Sequence, residues 1–235
     1  MSEARIRPAD RLILALDVAT ADEAKRLVDR LDGVVSFFKI GIVLHTACGL
    51  ELVRWLVASG KRVFLDLKFF DVRQTVKDAV ARVADLGVTF LTIHGNAEIV
   101  QGAVEGRGEG DLKLLAVTVL TNLDASDITD LGFPVSLEDL VLHRARLAVE
   151  SGCDGVVASA NEVRAIRREV GREPLVVTPG IRPRSSAPDE QKRIATPGDA
   201  IRAGADYLVV GRPIRTARDP RGAALAIIRE MEDAM

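Results

Sequence analysis

Three charged residues stand at the end of a short apolar run. They are Asp66, Lys68 and Asp71, in the stretch VFLDLKFFDV. If Val63 to Leu67 forms a buried strand, an acid, a base and a second acid follow one another at its end. Each of these charges must then be paired with another charge or take part in a reaction. An ammonium group among carboxylates is suited to proton chemistry. We take these residues as candidate catalytic groups.

The strands and helices that must position this cluster follow one repeating pattern. Eight short runs rich in Val, Ile and Leu predict strands, and they are Leu12 to Leu16, Phe37 to Ile40, Val63 to Leu67, Phe90 to Ile93, Leu114 to Leu120, Gly155 to Ala158, Leu175 to Val177 and Tyr207 to Val210. Segments with helical spacing lie between them, most ending near a glycine. Among these are Ala21 to Leu31, Leu50 to Ser59, Thr75 to Leu86, Leu137 to Glu150 and Glu162 to Val170.

The alternation of strands and helices indicates a parallel sheet covered by helices. Right-handed crossovers leave an open doubly wound sheet or a closed barrel. Eight units in 235 residues without a long linker favour the barrel. We predict an α/β fold in which residues 1–235 form a single (β/α)8 TIM barrel domain, with its active site at the C-terminal ends of the strands.

The composition excludes several classes of function. Basic and acidic residues number 32 and 34 and are spread along the chain, so there is no basic patch for nucleic acid and a small-molecule partner is favoured. No apolar run is long enough to span a membrane, and the N-terminus lacks a signal core. Cys48 and Cys153 have neither disulfide nor zinc spacing, and we expect both to be small buried residues. We expect a cytoplasmic protein.

Polar residues follow nearly every predicted strand, which points to one pocket at the C-terminal face of the barrel. They are Asp17, Lys39, Asp66, Lys68, His94, Asn96, Thr118, Thr121, Ser159, Thr178, Arg182, Gly211 and Arg212. We expect His94 to line this pocket, either as a general acid or as a hydrogen-bonded scaffold residue. Asp124, Asp127 and Asp130 are typical of helix capping.

The segments after strands 7 and 8 indicate a phosphate site. Arg182 follows a glycine after strand 7, a polar loop leads to Gln191, and strand 8 ends at Gly211 and Arg212. A glycine lets a ligand approach the backbone closely, and a guanidinium binds phosphate oxygens in pairs. The alternative for Gly211 and Arg212 is a turn with a solvated arginine.

Two interpretations of the opposite side of the pocket remain open. Asp17, Lys39, Asp66, Lys68 and Asp71 can form a catalytic charge array, or an internal salt-bridge network that braces the barrel mouth. The chain has no DxD or HExxH pattern, so we expect no obligatory metal, although Asp66 and a neighbour could bind Mg²⁺.

Several motifs together resemble bacterial orotidine 5′-phosphate decarboxylases. The resemblance covers almost the whole chain, and its motifs are Leu14-Ala-Leu-Asp17, Phe38-Lys39-Ile-Gly41, Asp66-Leu-Lys68-Phe-Phe-Asp71, Thr178-Pro-Gly-Ile-Arg-Pro183, Gln191-Lys-Arg and Val210-Gly-Arg-Pro-Ile214. The DxKxxD element is shared with a wider group of decarboxylases and aldolases, whereas the motifs after strands 7 and 8 together are more specific.

The resemblance implies loss of CO₂ from C6 of orotidine 5′-phosphate (OMP), giving UMP without a cofactor or metal. Lys68 would deliver a proton to C6, and Asp66 and Asp71 would keep it charged. In this family Asp71 and Thr75 reach into the partner's site of a homodimer. The remaining implied roles are ribose binding by Asp17 and Lys39, pyrimidine binding by Thr121, and phosphate binding by Arg182, Gln191, Gly211 and Arg212.

The chain departs from the family pattern around Asp71. Phe70 stands where a histidine is common, Arg73 stands in place of a proline and Gln74 in place of an asparagine. These changes put the helix start or the dimer contact in doubt. Two rival functions stay open: a Mg²⁺-dependent sugar-phosphate decarboxylase or aldolase, and a catalytically inactive phosphate-binding barrel.

Overall fold

The eight predicted strands form a closed parallel barrel. The structure is a computed structural model that describes residues 6–183 and 194–235. Each strand pairs with the next along the chain, and β8 pairs with β1. The strands are β1 (Leu12–Ala15), β2 (Phe37–Gly41), β3 (Arg62–Phe69), β4 (Phe90–His94), β5 (Lys113–Val117), β6 (Gly155–Val157), β7 (Leu175–Thr178) and β8 (Tyr207–Val210). The predicted (β/α)8 barrel is confirmed.

Twelve helices within the described ranges surround this sheet. They are α1 (Pro8–Arg11), α2 (Ala21–Arg30), α3 (Ile42–Cys48), α4 (Glu51–Ala58), α5 (Arg73–Ala84), α6 (Ala97–Arg107), α7 (Ala125–Asp130), α8 (Leu137–Glu150), α9 (Val163–Val170), α10 (Pro197–Ala203), α11 (Arg212–Arg215) and α12 (Pro220–Glu232). None of these described helices has the length and apolar character needed to cross a bilayer.

The fifth predicted strand is too long, because β5 ends at Val117 and not at Leu120. The Thr118 amide still donates to the carbonyl of Val157, but a turn then closes between Leu120 and Leu123. Val119 is nevertheless buried. Hydrophobicity therefore extended the prediction into a buried loop that enters the barrel mouth.

The side chains inside the barrel form their own small core. This core consists of Ile13, Ala15, Phe37, Phe64, Phe90, Leu115, Val177, Tyr207 and Val209. Three of its aromatic residues begin their strands, and the Phe90 ring lies 5.0 Å from Phe37 and 5.1 Å from Tyr207. These contacts fill the interior at the N-terminal end of the barrel, and an open cavity lies at the C-terminal ends of the strands.

Helices α5 and α6 pack closely after β3 and β4. A Cβ atom at Gly102 would lie 2.5 Å from the carbonyl oxygen of Arg73, and one at Gly106 would overlap the carbonyl oxygen of Lys77. The two backbones are therefore in direct contact. Because α5 carries Thr75 and begins two residues after Asp71, this packing positions the segment that the family resemblance assigns to a partner's site.

Candidate active site

A bulge in β3 presents the central charges. Leu65 pairs with Leu91, but the next pair joins Phe69 to Ile93, so β3 uses four residues where β4 uses two. Lys68 has φ +52°, the one positive φ of a non-glycine residue in the described part of the chain. Such a backbone costs about 1–3 kcal/mol and persists where surrounding contacts enforce it.

The hydroxyl of Thr92 holds this bulge in place. Its Oγ1 accepts a hydrogen bond from the backbone amide of Lys68 at 2.9 Å and contacts Asp66 Oδ1 at 3.0 Å. Thr92 is fully buried in β4. A single side chain from the neighbouring strand therefore fixes both the backbone of Lys68 and the carboxylate of Asp66.

The charges form a chain of alternating sign. Lys68 Nζ lies 2.7 Å from Asp66 Oδ1, and Lys39 Nζ lies 3.3 Å from Asp66 Oδ2. Lys39 is also 3.3 Å from Asp17 Oδ1 and is buried, with a relative exposure of 8%. Strand register brings these groups together, because Lys39 pairs with Ala15 on one side while Gly41 pairs with Asp66 on the other.

Asp66 stays ionised in this setting. Burial by itself would raise its pKa, but the charges of Lys39 and Lys68, with hydrogen bonds from Lys68 and Thr92, outweigh burial and lower the pKa of Asp66 below its ordinary value. The carboxylate can therefore hold Lys68 in place as an ammonium ion. A fixed cation beside a fixed anion is suited to a reaction in which negative charge develops on a bound substrate.

A cavity of about 360 Å³ opens beside the array at the C-terminal end of the barrel. This volume lies in the range of small-molecule sites. The predicted site residues that line it are Asp17, Lys39, Asp66, Lys68, Thr121, Arg182, Gly211 and Arg212. The structure thus brings eight of the eleven predicted residues to one cavity.

The basic end of the cavity is built from the segments after β7 and β8. Gly180 has φ +75°, which a residue with a side chain adopts poorly, and it turns the chain toward Arg182. The backbone amide of Arg182 then donates to the carbonyl of Ala195 at 2.9 Å. Gly211 and Arg212 follow β8 at the same end.

The comparisons with known proteins agree with this geometry. Residues 10–227 match the family described as orotidine 5′-phosphate decarboxylase / HUMPS. The chain belongs to this family. Two of its relatives are orotidine 5′-phosphate decarboxylases: one from Nitrobacter winogradskyi, 53% identical over 96% of this chain and 94% of that one, and one from Methylococcus capsulatus, 51% identical over 99% and 96%.

Two solved structures share the fold of this chain over most of its length. The crystal structure of orotidine 5′-phosphate decarboxylase from Lactobacillus acidophilus aligns with a TM-score of 0.83 at 34% identity, covering 94% of this chain and 98% of that one. An uncharacterised conserved protein from Geobacillus kaustophilus aligns with a TM-score of 0.82 at 32% identity, covering 94% and 99%.

Two described residues that the family resemblance singled out, Asp71 and Thr75, do not line the cavity. Asp71 and Thr75 are exposed, and the carboxylate of Asp71 accepts a hydrogen bond from the amide of Val72 at 2.7 Å. Gln191 lies outside the described residues.

Five polar residues that the sequence placed at the pocket do not line the cavity, and they are Asn96, Thr118, Ser159, Thr178 and His94. The ring of His94 packs at a tilt against Phe70, with 4.7 Å between the centroids. Burial, assisted by the charges of Arg144 and Lys68, lowers the pKa of His94 below its ordinary value of 6.5. The structure shows a ring contact but no side-chain hydrogen bond of His94 among the described residues, so it supports a packing role and not the pocket position.

The sequence reasoning missed Thr92, Asn122 and Arg215. Asn122 and Arg215 line the cavity, whereas Thr92 lies behind it. A hydroxyl within the apolar run Phe90 to Ile93 was a usable signal, since a buried hydroxyl needs a partner. Within residues 6–183 and 194–235, no group of three His, Cys, Asp or Glu side chains is arranged to hold a metal ion.

Proposed function

We propose that this chain decarboxylates orotidine 5′-phosphate to UMP and CO₂, the last step of pyrimidine nucleotide synthesis. The observation that carries the proposal is the 2.7 Å contact of Lys68 Nζ with Asp66 Oδ1 in a cavity that also contains Arg182 and Arg212. This arrangement offers a proton donor for the ring and a basic site for the phosphate. Family membership supports the same reaction.

In the proposed reaction the bond between C6 and its carboxylate breaks, and its electron pair stays on C6 while CO₂ departs. Lys68 Nζ then gives its proton to C6, and solvent restores the ammonium group. Because Lys68 supplies both the cation and the proton, the proposal uses no metal or organic cofactor. A cation fixed beside C6 stabilises the transition state more than the ground state.

Asp66 has two proposed effects on this step. It keeps Lys68 charged and oriented, and it lies near the substrate carboxylate that is lost. Repulsion between the two carboxylates is relieved as CO₂ leaves, but stabilisation of the developing charge by Lys68 is the better supported contribution. Binding of the distant phosphate offsets the unfavourable placement of the substrate carboxylate.

The other predicted residues bind the remaining parts of the substrate. We assign Asp17 and Lys39 to the ribose and Thr121 to the pyrimidine. The phosphate is assigned to Arg182, Gln191, Gly211 and Arg212. The positions of the described members around one cavity support these assignments, because the charge array and the arginines lie in the same cavity.

The proposed active enzyme is a homodimer with shared sites. Asp71 and Thr75 of each subunit would complete the partner's site, with Asp71 as the second carboxylate near Lys68. A recess on the outer side of the array supports this, since it is lined by Asp17, Lys39, Asp66 and Lys68 together with Ile42 and Val43.

Exposed apolar residues at the same edge of the barrel mouth support the dimer as well. Ile42 and Val43 follow β2, Phe70 and Val72 follow β3, and each of the four has 65% or more of its surface exposed. Clustered exposed apolar residues are typical of protein interfaces. A partner subunit would cover them.

The direct test of function is turnover of OMP, followed by ultraviolet absorbance in the presence of EDTA. Turnover under these conditions separates the proposal from the Mg²⁺-dependent enzymes and from an inactive barrel. Absence of turnover by the folded dimer would refute the proposal.

Replacing Lys68 tests its assigned role. Lys68→Ala is expected to lower kcat by at least about 10²–10⁴-fold, the usual contribution of a positioned proton donor, while UMP still binds. Lys61→Ala, directly before β3 at its opposite end from Lys68, is the control and should retain turnover, since Lys61 forms an ion pair with the exposed Asp32 and does not line the cavity. Near-normal turnover of Lys68→Ala would overturn the role.

A single domain over residues 1–235 and a cytoplasmic location stay predictions. Both cysteines are free thiols, which suits a reducing compartment. Cys153 is buried as expected, and burial raises the pKa of its thiol to about 12, whereas Cys48 is half-buried.

A further inference from the structure

Arg215 is a cationic side chain of the cavity for which neither the sequence motifs nor the proposed reaction has a role. It ends α11, the one-turn helix that begins with Arg212. Residues three apart on a helix lie on the same face, and both arginines line the cavity. The two guanidinium groups therefore approach the cavity from one short element.

The side chain of Arg215 has no partner among the described residues. Its Nε is enclosed and makes no hydrogen bond, and no ion pair involves Arg215 within residues 6–183 and 194–235. A guanidinium is always charged and carries five N–H donors. Leaving the enclosed Nε–H unpaired is unfavourable, so the position is explained if an anion provides the missing acceptor.

The charged side chains that line the cavity also favour an anionic ligand. Its lining contains five cationic side chains and two carboxylates, a formal excess of three positive charges. Both carboxylates, Asp17 and Asp66, contact lysines at the array. The other three cationic side chains of the lining, Arg182, Arg212 and Arg215, come from the segments after β7 and β8.

We infer that Arg215 is an additional binding residue for a phosphate dianion, next to Arg212. The identification of this anion as the 5′-phosphate of a nucleotide rests on the proposed function. A phosphate ester carries close to two negative charges at neutral pH and offers several acceptor oxygens, which suits the guanidinium groups of Arg212 and Arg215.

The test compares wild type with Arg215→Gln, which keeps the hydrogen-bonding side chain but removes the charge. Arg218→Gln is the matched control, because Arg218 lies three residues further on, is exposed and does not line the cavity. Binding of UMP and of uridine is measured by calorimetry. Thermal stability is measured with increasing inorganic phosphate.

Arg215→Gln is expected to weaken UMP binding by about 10- to 100-fold, as for loss of a charge-assisted hydrogen bond. Uridine affinity should not change, because uridine lacks the phosphate. Inorganic phosphate should raise the melting temperature of wild type and of Arg218→Gln, and raise that of Arg215→Gln clearly less. Without phosphate the variant should be at least as stable as wild type, since a like charge has been removed.

The outcomes separate this inference from the proposed function. If wild type turns over OMP and Arg215→Gln binds UMP as tightly as wild type does, the inference is refuted and the function stands. If wild type neither binds UMP nor turns over OMP but phosphate stabilises it through Arg215, the anion site stands and the function is refuted. Equal stabilisation of wild type and Arg215→Gln by phosphate refutes the anion site.

Discussion

At the scale of single residues, Thr92 is the side chain on which the geometry of Asp66 and Lys68 depends most. Thr92→Val keeps the shape but removes both hydrogen bonds. Because a hydrogen bond to a charged group contributes about 1.5–3 kcal/mol, we expect kcat for OMP to fall by at least about tenfold. Steady-state kinetics would measure this change.

Thr118→Val is the matched control for Thr92→Val. Thr118 is equally buried, and its hydroxyl donates to the carbonyl of Val157 at 3.0 Å without lining the cavity. Both variants are expected to lose some stability, but only Thr92→Val should lose much activity. Equal loss of kcat in the two variants would show that Thr92 has no specific effect on the charged pair.

The pH dependence of stability offers a second test at this scale. The pKa of folded His94 is lowered, chiefly by burial, whereas in the unfolded chain it is about 6.5. Below that pH the unfolded chain binds the additional proton first, so folding stability falls as the pH decreases from about 6.5 to the lowered value. His94→Gln should not show this part of the loss.

Denaturant unfolding of wild type and His94→Gln, between about pH 7.5 and pH 5, measures this difference. The stability of His94→Gln relative to wild type should increase as the pH falls. His143→Gln, which removes an exposed histidine of α8, should follow wild type. Parallel curves for wild type and His94→Gln would contradict the assignment.

The main site residues could be predicted from the sequence, because polar groups at the ends of apolar runs identify Asp17, Lys39, Asp66 and Lys68. The bulge could not be predicted in this way. Periodicity specifies which residues are in a strand but not which residue of the neighbouring strand stands opposite. For the same reason the role of Thr92 became visible only with the register of β3 and β4.

At the scale of elements, the contact between α5 and α6 determines where the segment from Asp71 to Thr75 lies. Gly106→Ala places a methyl group against the carbonyl oxygen of Lys77. We expect the free energy of unfolding to fall by about 1–3 kcal/mol, more than the helix propensity of alanine can offset. Urea denaturation would measure the loss.

Gly110→Ala is the control for Gly106→Ala. A Cβ atom there would lie at an ordinary 3.4 Å from the carbonyl oxygen of Arg107. This variant should unfold close to wild type. Wild-type stability of Gly106→Ala would mean that the two helices can separate slightly without loss, and that their contact does not fix α5.

The departure from the family pattern at Arg73 has a structural explanation at this scale. Helix α5 begins at Arg73 without a proline. The guanidinium forms ion pairs with Glu98 and Glu105 of α6. Local sequence alone therefore left the start of α5 in doubt. Arg73 can occupy this position because its guanidinium pairs with the two glutamates, 25 and 32 positions further along the chain.

At the scale of the whole molecule, shared sites predict that two inactive variants can restore each other. Chains carrying Lys68→Ala and chains carrying Asp71→Ala, refolded together, form hybrid dimers in which one site keeps both native residues. If all pairings form equally, about a quarter of wild-type activity should return. Turnover of the mixture and of each variant alone measures this recovery.

The same mixture tests the alternative in which Asp71 completes the site of its own subunit. In that case each site of a hybrid lacks one residue, so activity stays at the level of the separate variants. Subunit exchange must be verified, for example by differently sized tags and sedimentation. Hybrid dimers without recovered turnover would refute the shared site.

The fold was more predictable than the assembly. Eight apolar runs with helices between them can close into only a few topologies, so the barrel followed from counting elements. The sequence pattern does not identify in the same way which surfaces a partner subunit would cover. Ile42 and Val43 look like ordinary core residues in the sequence, and only their exposure in the folded chain distinguishes them.

The left-handed backbone of Lys68 has a consequence for how such barrels change over time. Glycine or asparagine would adopt φ +52° more easily than lysine does, so mutation and selection for folding alone would tend to replace the lysine. A duplicate of this protein released from its chemistry should therefore lose Lys68 early. Retention of lysine in this strained position would then distinguish catalytically active members of such a lineage from inactive descendants.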